Sequence, residues 1–213
     1  RGGRSAPTAA APAAQASLRK VVQPGSPSLV VVGVSTGGPG ALPQVLSAMG
    51  RLACPMVIAQ HMPPLFTKSL ANTLRGDTGL DVVEGEDGMP LTAGRIVIAP
   101  GGTDSVVREP LPGQLSLHLR LRADLPIHPS VDVLFTSAVG ISGVVVGVVL
   151  TGMGCDGTEG GKKLAERGGP FLIQEPTSCV VDGMPGSALA AGIGSELLSL
   201  ADIGRRLKRW AGA

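Results

Sequence analysis

The sequence predicts a doubly wound α/β fold, with a mainly parallel sheet flanked by helices and an antiparallel edge. From residue 29 onward, short runs rich in Val, Ile and Leu alternate with amphipathic stretches of helical length. Hydrophobic residues make up 43% of the 213 residues and charged residues 16%, so the chain can bury a core although it contains 32 Gly and 18 Pro. Because the aromatic residues are only three Phe and one Trp, the core must be aliphatic, which suits buried parallel strands.

The first half of the pattern reads βαβα and is followed by less regular strands. Two strands, each followed by a helix, are predicted in the order 29–34, 39–49, 56–60 and 64–75. Extended segments follow near 81–84, 95–99 and 114–119. The last of these alternates Leu with Ser, His and Arg, so we expect these segments to form a peripheral or antiparallel edge.

The alternation of strands and helices that is typical of a parallel sheet then resumes and continues to the end of the chain. The remaining elements are helix 131–139, strand 144–150, helix 158–167, strand 171–174, and helices near 185–191 and 200–210. In sheets of this kind, ligands bind beyond the carboxyl ends of the strands. The residues directly after each strand are therefore the candidates for chemistry.

Residues 1–28 differ in composition from the rest of the chain. This segment is rich in Ala, Pro, Ser and Gly and lacks hydrophobic periodicity, so we interpret it as a flexible interdomain linker or tail, with the folded domain over 29–213. The formal net charge is +2, but four cations within 1–20 and four within 205–213 leave a net −6 on residues 21–204. A nucleic-acid surface needs clustered Lys and Arg, so we expect no nucleic-acid partner.

The cysteines, the histidines and the hydropathy argue against a metal-binding protein and a membrane protein. The three cysteines and three histidines have no zinc-ligand spacing, so we expect free thiols and no metal. The longest apolar run, 144–150, is far shorter than the roughly 20 residues of a membrane span, and no signal-peptide pattern opens the chain. We therefore expect a soluble, cytoplasmic protein without membrane insertion.

A serine turn stands directly after the first strand. Residues 33–37 have the pattern Gly-x-Ser-x-Gly, in which glycines allow a sharp reversal and a helix N-terminus favours negative charge at Ser35. The alternatives are a phosphate-cradling loop or a simple tight turn. A Walker loop would need Lys followed by Ser or Thr where 39–41 reads Pro-Gly-Ala. A dinucleotide site would need an acid at the end of the second strand, where His61 stands.

Two further residues could complete a hydrolytic site with Ser35. His61 ends the second strand as Ser35 ends the first, so their side chains can come within hydrogen-bond reach. Asp156, in the Gly-rich loop after a later strand, could orient the imidazole as the third member of a triad. A structural histidine and a helix N-cap are the alternatives for these two residues. His118 and His128 lack such a setting, and we interpret both as structural or peripheral.

Five sequence blocks identify a family. They are VVVGVSTGGPGAL at 30–42, IAQHMPP at 58–64, PSVDVLFTSA at 129–138, LTGMGCDGTEG at 150–160 and SCVVDGMPGSA at 178–188. Together and in this order they resemble the catalytic domain of the CheB family of chemotaxis protein-glutamate methylesterases. The resemblance implies Ser35 as nucleophile, His61 as general acid and base, and Asp156 as its orienting carboxylate. It also implies a set of residues that line the site and its oxyanion hole, namely Thr36, Gly37, Met62, Gly152 and Met153.

The activity that the resemblance implies is hydrolysis of glutamate γ-methyl esters on the cytoplasmic helices of chemoreceptors. In the family this is often accompanied by deamidation of receptor glutamines, and no cofactor is required. Residues 1–28 resemble the linker that joins such a domain to an N-terminal phosphoacceptor receiver domain. Through that domain, a chemotaxis histidine kinase would be a further partner.

Three departures from the family pattern keep other functions open. The family commonly has Arg where His128 stands, a His-Met pair where Asp104 and Ser105 stand, and Asn in place of Cys155. The first two are expected to bear on receptor recognition rather than on the triad. A non-catalytic module that keeps the fold to bind receptor or kinase is therefore an alternative, and a Rossmann-like nucleotide binder is a third.

Overall fold

Seven parallel strands form the central sheet in a computed structural model that describes residues 18–20, 25–121 and 124–213. The strands of these residues are β1 (Leu29–Val34), β2 (Met56–Gln60), β3 (Asp81–Glu84), β4 (Arg95–Ile98), β5 (Asp104–Leu111), β6 (Gln114–Arg120), β7 (Val145–Val149), β8 (Phe171–Gln174) and β9 (Glu196–Leu198). The sheet order is β3-β4-β2-β1-β7-β8-β9, and all neighbouring pairs are parallel. β5 and β6 form a separate antiparallel hairpin.

The order of the strands reverses at β1. Strands β2, β4 and β3 extend the sheet on one side of β1, whereas β7, β8 and β9 extend it on the other. Open α/β sheets bind ligands at such a switch point, in the crevice beyond the carboxyl ends of the strands. Here that crevice lies beyond the ends of β1, β2 and β7.

Helices cover both faces of the sheet. In the described part of the chain they are α1 (Gly38–Met49), α2 (Pro64–Thr78), α3 (Val131–Ala138), α4 (Thr158–Glu166), α5 (Gly183–Ala190) and α6 (Leu200–Ala211). α1, α2 and α6 share a core cluster with Val30 and Ile58, while α3, α4, α5 and the hairpin share another with Val31 and Val57. Successive strand residues thus point to opposite buried faces, which explains the continuous apolar runs. None of the helices in these ranges has the length and apolar character needed to cross a membrane.

The predicted fold class is confirmed, with one correction to the placement of the antiparallel strands. β3 and β4, expected in a peripheral or antiparallel edge, do lie at one edge of the main sheet, but they are parallel strands. The antiparallel pair lies outside that sheet, where Leu115 and Leu117 of β6 pack into the core cluster of α3. Alternating residues show that a strand has one apolar face, but they do not show which strand it pairs with.

Two strands are not predicted by the sequence pattern. β5 carries charged residues and Pro110, and its pairing with β6 shifts register between Arg108 and Leu111. β9 has only three residues. The predicted elements are present, with ends within three residues of those expected. The largest difference is at α2, which continues to Thr78 and ends at Gly79, whose φ of +70° favours glycine.

Part of the predicted linker lies against the folded domain. Residues 1–17 and 21–24 are outside the described residues, so the linker there stays a prediction. The Arg19 guanidinium donates hydrogen bonds to the carbonyl oxygens of Ala165, Gly169 and Ile193, at 2.6, 2.9 and 3.0 Å. The Arg19 N–H also donates to the Gly194 carbonyl at 2.8 Å, so residues 18–20 are anchored on the domain through the side chain and the backbone of Arg19.

Candidate active site

Ser35 and His61 are neighbours because they follow two strands that pair in register. Val34 at the end of β1 pairs with Gln60 at the end of β2. The His61 N–H donates to the Val34 carbonyl at 3.0 Å, and the Ser35 N–H donates to the Thr151 carbonyl at 2.9 Å. Ser35 is therefore held between the ends of β2 and β7, at the switch point of the sheet.

The turn that presents Ser35 depends on two glycines. Gly37, the N-cap of α1, has a φ of +87°, in the left-handed region that other residues rarely adopt. At Gly152, an added Cβ would stand 2.7 Å from the Cβ of Ser35. Glycine at both positions lets the loops after β1 and β7 approach closely, with Ser35 near the N-terminus of α1.

His61 and Asp156 form a hydrogen-bonded pair. His61 Nε2 lies 2.8 Å from Asp156 Oδ2, and the two side chains are only 10% and 18% exposed. Because an ionised carboxylate accepts and does not donate, the proton of this hydrogen bond belongs to Nε2. Nδ1 of His61 is then the ring nitrogen that can accept a proton.

The N-terminus of α3 holds the Asp156 carboxylate. Oδ2 accepts a hydrogen bond from the Val131 N–H at 2.7 Å. Oδ1 accepts from the Asp132 N–H at 2.8 Å, the Gly157 N–H at 3.0 Å and the Ser130 hydroxyl at 3.2 Å. The first N–H groups of a helix have no acceptor within the helix, so a carboxylate satisfies them and is favoured by the helix dipole.

These contacts keep the carboxylate of Asp156 ionised. Burial alone would raise its pKa, but hydrogen bonds from His61 and from the N–H groups of Asp132 and Val131 outweigh burial, so the pKa of Asp156 lies below its usual value. The pKa of Asp132 is raised by burial and by the adjacent charge of Asp156. Of these two carboxyl groups, Asp156 is therefore the one that gives up its proton more readily.

Ser35 stands beside the His61–Asp156 pair without a direct hydrogen bond to it. Among the hydrogen bonds of the described residues, none joins the Ser35 hydroxyl to the imidazole of His61. Such contacts often tighten only when substrate is bound. The structure joins two of the three candidate residues directly and places the third at the adjacent strand end.

Residues 30–207 match a family model described as CheB methylesterase. The chain belongs to the CheB methylesterase family. It also resembles the crystal structure of the Thermotoga maritima CheB methylesterase catalytic domain, with a TM-score of 0.82 and 35% sequence identity. That match covers 86% of this chain and 98% of the other. The family resemblance of the five sequence blocks is confirmed.

Relatives of the CheB family extend beyond the matched region. The protein-glutamate methylesterase/protein-glutamine glutaminase of Nocardioides sp. is 42% identical over 205 residues, which are 93% of this chain and 55% of that protein. The protein of the same name from the group 2 operon of Bradyrhizobium diazoefficiens is 39% identical over 218 residues, covering 96% of this chain and 55% of its own length. The chain spans about half the length of these curated relatives.

The candidate oxyanion donors of the CheB site lie on the two loops that flank Ser35. The Gly152 N–H already donates to the Val181 carbonyl at 2.9 Å, so it is engaged within its loop. The N–H groups of Thr36 and Met153 donate none of the hydrogen bonds found among the described residues. Among the described residues, these two N–H groups, one on each of the two loops, are therefore available to bind a ligand oxygen.

An open cavity of about 670 Å³ lies beside the His61–Asp156 pair. Most of its lining is apolar and comes from Val106, Leu125, Pro126, Ile127, Val133 and Met153. The Met153 side chain is 68% exposed at its rim. Cys155, where the family commonly has Asn, is exposed and also lines the cavity. Met62 instead packs against the core cluster of α1, α2 and α6.

Three buried polar residues that hold these loops were not predicted. Gln60 is 2% exposed and donates from Nε2 to the carbonyl oxygens of Ser35 and His61, at 2.9 and 3.1 Å. Gln174 accepts a hydrogen bond from the Thr151 N–H at 2.8 Å, and the Thr151 hydroxyl in turn donates to the carbonyl of Thr36. All three are polar residues at or just after the end of an apolar strand, and this pattern could have predicted them. A polar side chain is costly to bury unless it is hydrogen-bonded, so a polar residue in that position indicates a bonded partner.

Proposed function

We propose that this chain is a serine hydrolase that removes methyl esters from glutamate side chains. Ser35 is the nucleophile, His61 the general base and acid, and Asp156 the carboxylate that orients and stabilises the imidazole. The observation that carries the proposal is the 2.8 Å His61–Asp156 hydrogen bond beside Ser35 at the switch point of a CheB-family fold. In a non-catalytic module Asp156 would still cap α3, but nothing would require it to fix one tautomer of His61 as well.

Acylation begins with attack of Ser35 Oγ on the ester carbonyl carbon. The hydroxyl proton moves to Nδ1 of His61 while the bond between Oγ and the carbon forms. The imidazolium is stabilised by Asp156, which remains ionised. When the tetrahedral intermediate collapses, His61 returns the proton to the leaving oxygen and methanol departs. The product of this half-reaction is an ester between Ser35 and the substrate glutamate.

The oxyanion of the intermediate would be bound by the N–H groups of Thr36 and Met153. Both lie on loops held by buried hydrogen bonds, so little reorganisation is needed when charge develops. Removal of one such donor typically costs about 3 kcal/mol of transition-state stabilisation. The N-terminus of α1 next to Ser35 adds a favourable dipole.

Deacylation repeats the chemistry with water as the nucleophile. His61 takes a proton from water, which attacks the acyl carbonyl, and then returns that proton to Ser35 Oγ. The substrate leaves as a free glutamate carboxylate. A glutamine side chain would give the same acyl-enzyme with ammonia as the leaving group. We therefore propose that the chain also deamidates glutamine, as the names of its relatives say of those proteins.

The substrates we propose are methylated glutamates on the cytoplasmic helices of chemoreceptors, which places the reaction in the cytoplasm. A methyl ester is neutral, and the apolar cavity beside His61 suits it better than the charged product. We also propose that an N-terminal receiver domain couples this domain to a chemotaxis histidine kinase. The composition of residues 1–28, typical of a linker, supports that arrangement.

The test is methanol release from a methylated receptor fragment by wild-type protein and by Ser35→Ala. We expect wild type to release methanol and Ser35→Ala to lose most of this activity, about a 10⁵- to 10⁶-fold fall in kcat, because no other group replaces the nucleophile. A fluorophosphonate probe should label the wild type and spare the variant. Ser47→Ala, at an exposed position of α1, is the matched control and should keep full activity and labelling.

Two results would contradict this proposal. One is methanol release by Ser35→Ala at the wild-type rate. The other is a wild-type protein that binds the receptor fragment and releases no methanol, which is the behaviour of an interaction module.

A further inference from the structure

Asp104 and His128, two positions at which this chain departs from the common CheB residues, contact each other. Asp104 is the first residue of β5, and its side chain is fully buried. Both of its carboxylate oxygens lie 3.0 Å from Nδ1 of His128, whose side chain is 16% exposed. A buried carboxylate is costly unless it is paired and hydrogen-bonded, so this contact stabilises Asp104 where it is.

The same carboxylate also holds the start of α3. Asp104 Oδ1 accepts a hydrogen bond from the Ser130 N–H at 2.8 Å. Ser130 is the N-cap of α3, where its hydroxyl accepts from the Val133 N–H and donates to Asp156 Oδ1. Ser130 therefore links two carboxylates by hydrogen bonds, that of Asp104 and that of Asp156, which orients His61.

Two more hydrogen bonds join this part of the chain together, one between β5 and α3 and one between the segments that precede them. The Val107 N–H in β5 donates to the Ser137 hydroxyl in α3 at 2.9 Å. Ahead of the strand, the Gly102 N–H donates to the His128 carbonyl at 3.5 Å. Because β5 and α3 are joined along their length, the position of the first turn of α3 depends on the hairpin.

We propose that Asp104 and His128 are positioning residues for the hydrolytic reaction. They fix the segment 128–130 so that the first turn of α3 holds the Asp156 carboxylate against Nε2 of His61. This inference rests on the proposed function. From the sequence, the departures at Asp104 and His128 were expected to affect receptor recognition; here they are assigned an effect on the catalytic residues instead. The Asp104 side chain is fully buried, so we expect it to act through its contacts within the protein and not on the substrate itself.

The hairpin offers a matched control in a second histidine–aspartate pair. His118 Nδ1 on β6 lies 3.7 Å from Asp87, whose side chain is 69% exposed. Asp87 also accepts a hydrogen bond from a backbone N–H of the hairpin, that of Leu119, at 2.8 Å. Asp87 and Asp104 therefore both fasten the hairpin, but only Asp104 contacts the segment that reaches Asp156.

The experiment measures kcat and KM for methanol release from a methylated receptor fragment, together with the thermal midpoint of each variant. Asp104→Asn keeps the size of the side chain and removes its charge. We expect its kcat to fall by about 10- to 100-fold, as for a small misplacement of a catalytic group, with KM changed by less than about twofold. Asp87→Asn should keep the wild-type kcat.

A double-substitution cycle separates positioning from a general loss of stability. If Asp104 acts through Asp156, then Asp104→Asn should lower kcat by less than about twofold in an Asp156→Ala background, because residues that act through one group are not additive. A merely structural effect would lower kcat by the same factor in both backgrounds. His128→Ala, which leaves the backbone contacts of Asp104 in place, is expected to follow the same pattern and decides the matter if Asp104→Asn does not fold.

The inference is overturned if a folded Asp104→Asn or His128→Ala protein keeps the wild-type kcat. It is also overturned if the loss in kcat is as large without Asp156 as with it. Either result in an active wild-type enzyme leaves the proposed function standing. A wild-type chain that releases no methanol refutes the proposed function, and this inference falls with it.

Discussion

Asp156 is the residue whose surroundings decide what the site can do. In the sequence it was a candidate triad member or a helix N-cap. In the structure the N-cap of α4 is Gly157, without a side-chain cap, and the Asp156 carboxylate instead binds the N-terminus of α3 and the His61 ring. No local pattern could have distinguished these possibilities, because its partners lie 24 and 95 residues away along the chain.

The stability of the protein should depend on pH through Asp156. Its pKa is below the usual value of about 3.9 in the folded state, so the folded protein binds a proton at this site less readily than the unfolded chain does. The stabilisation is therefore complete above about pH 5 and is lost as the pH falls through the lowered pKa. We expect the difference in free energy of unfolding between wild type and Asp156→Asn to be constant from pH 5 to 7 and to shrink towards pH 3. Urea unfolding at each pH measures it, and a difference independent of pH would contradict the assignment.

At the scale of the element, the first turn of α3 combines a structural and a chemical task. Its free N–H groups are present in any helix, but here a residue from a different loop satisfies them. The sequence showed the helix, because apolar residues recur with helical spacing after Ser130. It did not show what the helix N-terminus binds, since that depends on how α3 packs beside β1 and α4.

Two N-cap serines allow the structural and the chemical effect of a helix N-terminus to be measured separately. Ser130 caps α3 and contacts Asp156, whereas Ser199 caps α6 and accepts from the Asp202 N–H. Replacement of either serine by Ala should lower the free energy of unfolding by about 1 kcal/mol. Only Ser130→Ala should also lower kcat, by about tenfold, because it removes a hydrogen bond to a charged group. Urea unfolding and methanol release measure the two effects, and equal kcat values for the two variants would refute the distinction.

At the scale of the whole molecule, close packing around large side chains requires glycine at particular positions. The ring of Phe171 in β8 is fully buried and meets Phe135 of α3 edge to face, with ring centroids 5.7 Å apart. An added Cβ at Gly147 in β7 would stand 2.5 Å from that ring. The sheet and the α3–α4 layer therefore fit together only where the strand lacks a side chain.

Phe171→Ala should destabilise the whole domain. A large cavity would form at the junction of sheet and helices, at a cost of about 3–5 kcal/mol in the free energy of unfolding. Phe66→Ala is the matched control, since Phe66 is 57% exposed on α2, and we expect a change within about 0.5 kcal/mol. Both values come from urea titrations, and comparable losses for the two variants would show that Phe171 is not central to the core.

Local sequence determined most of the elements of this protein and the positions of its chemically capable residues. Apolar runs defined the central strands, and the polar residues that follow them, Ser35, His61 and Asp156, marked the loops that meet at one end of the sheet. Only the tertiary structure decided strand order, the separate place of the hairpin, and the partners of buried polar groups such as Gln60 and Asp104. The physical reason is range: periodicity and turn chemistry act between neighbours in sequence, whereas strand pairing and hydrogen bonds to buried side chains join residues that only folding brings together.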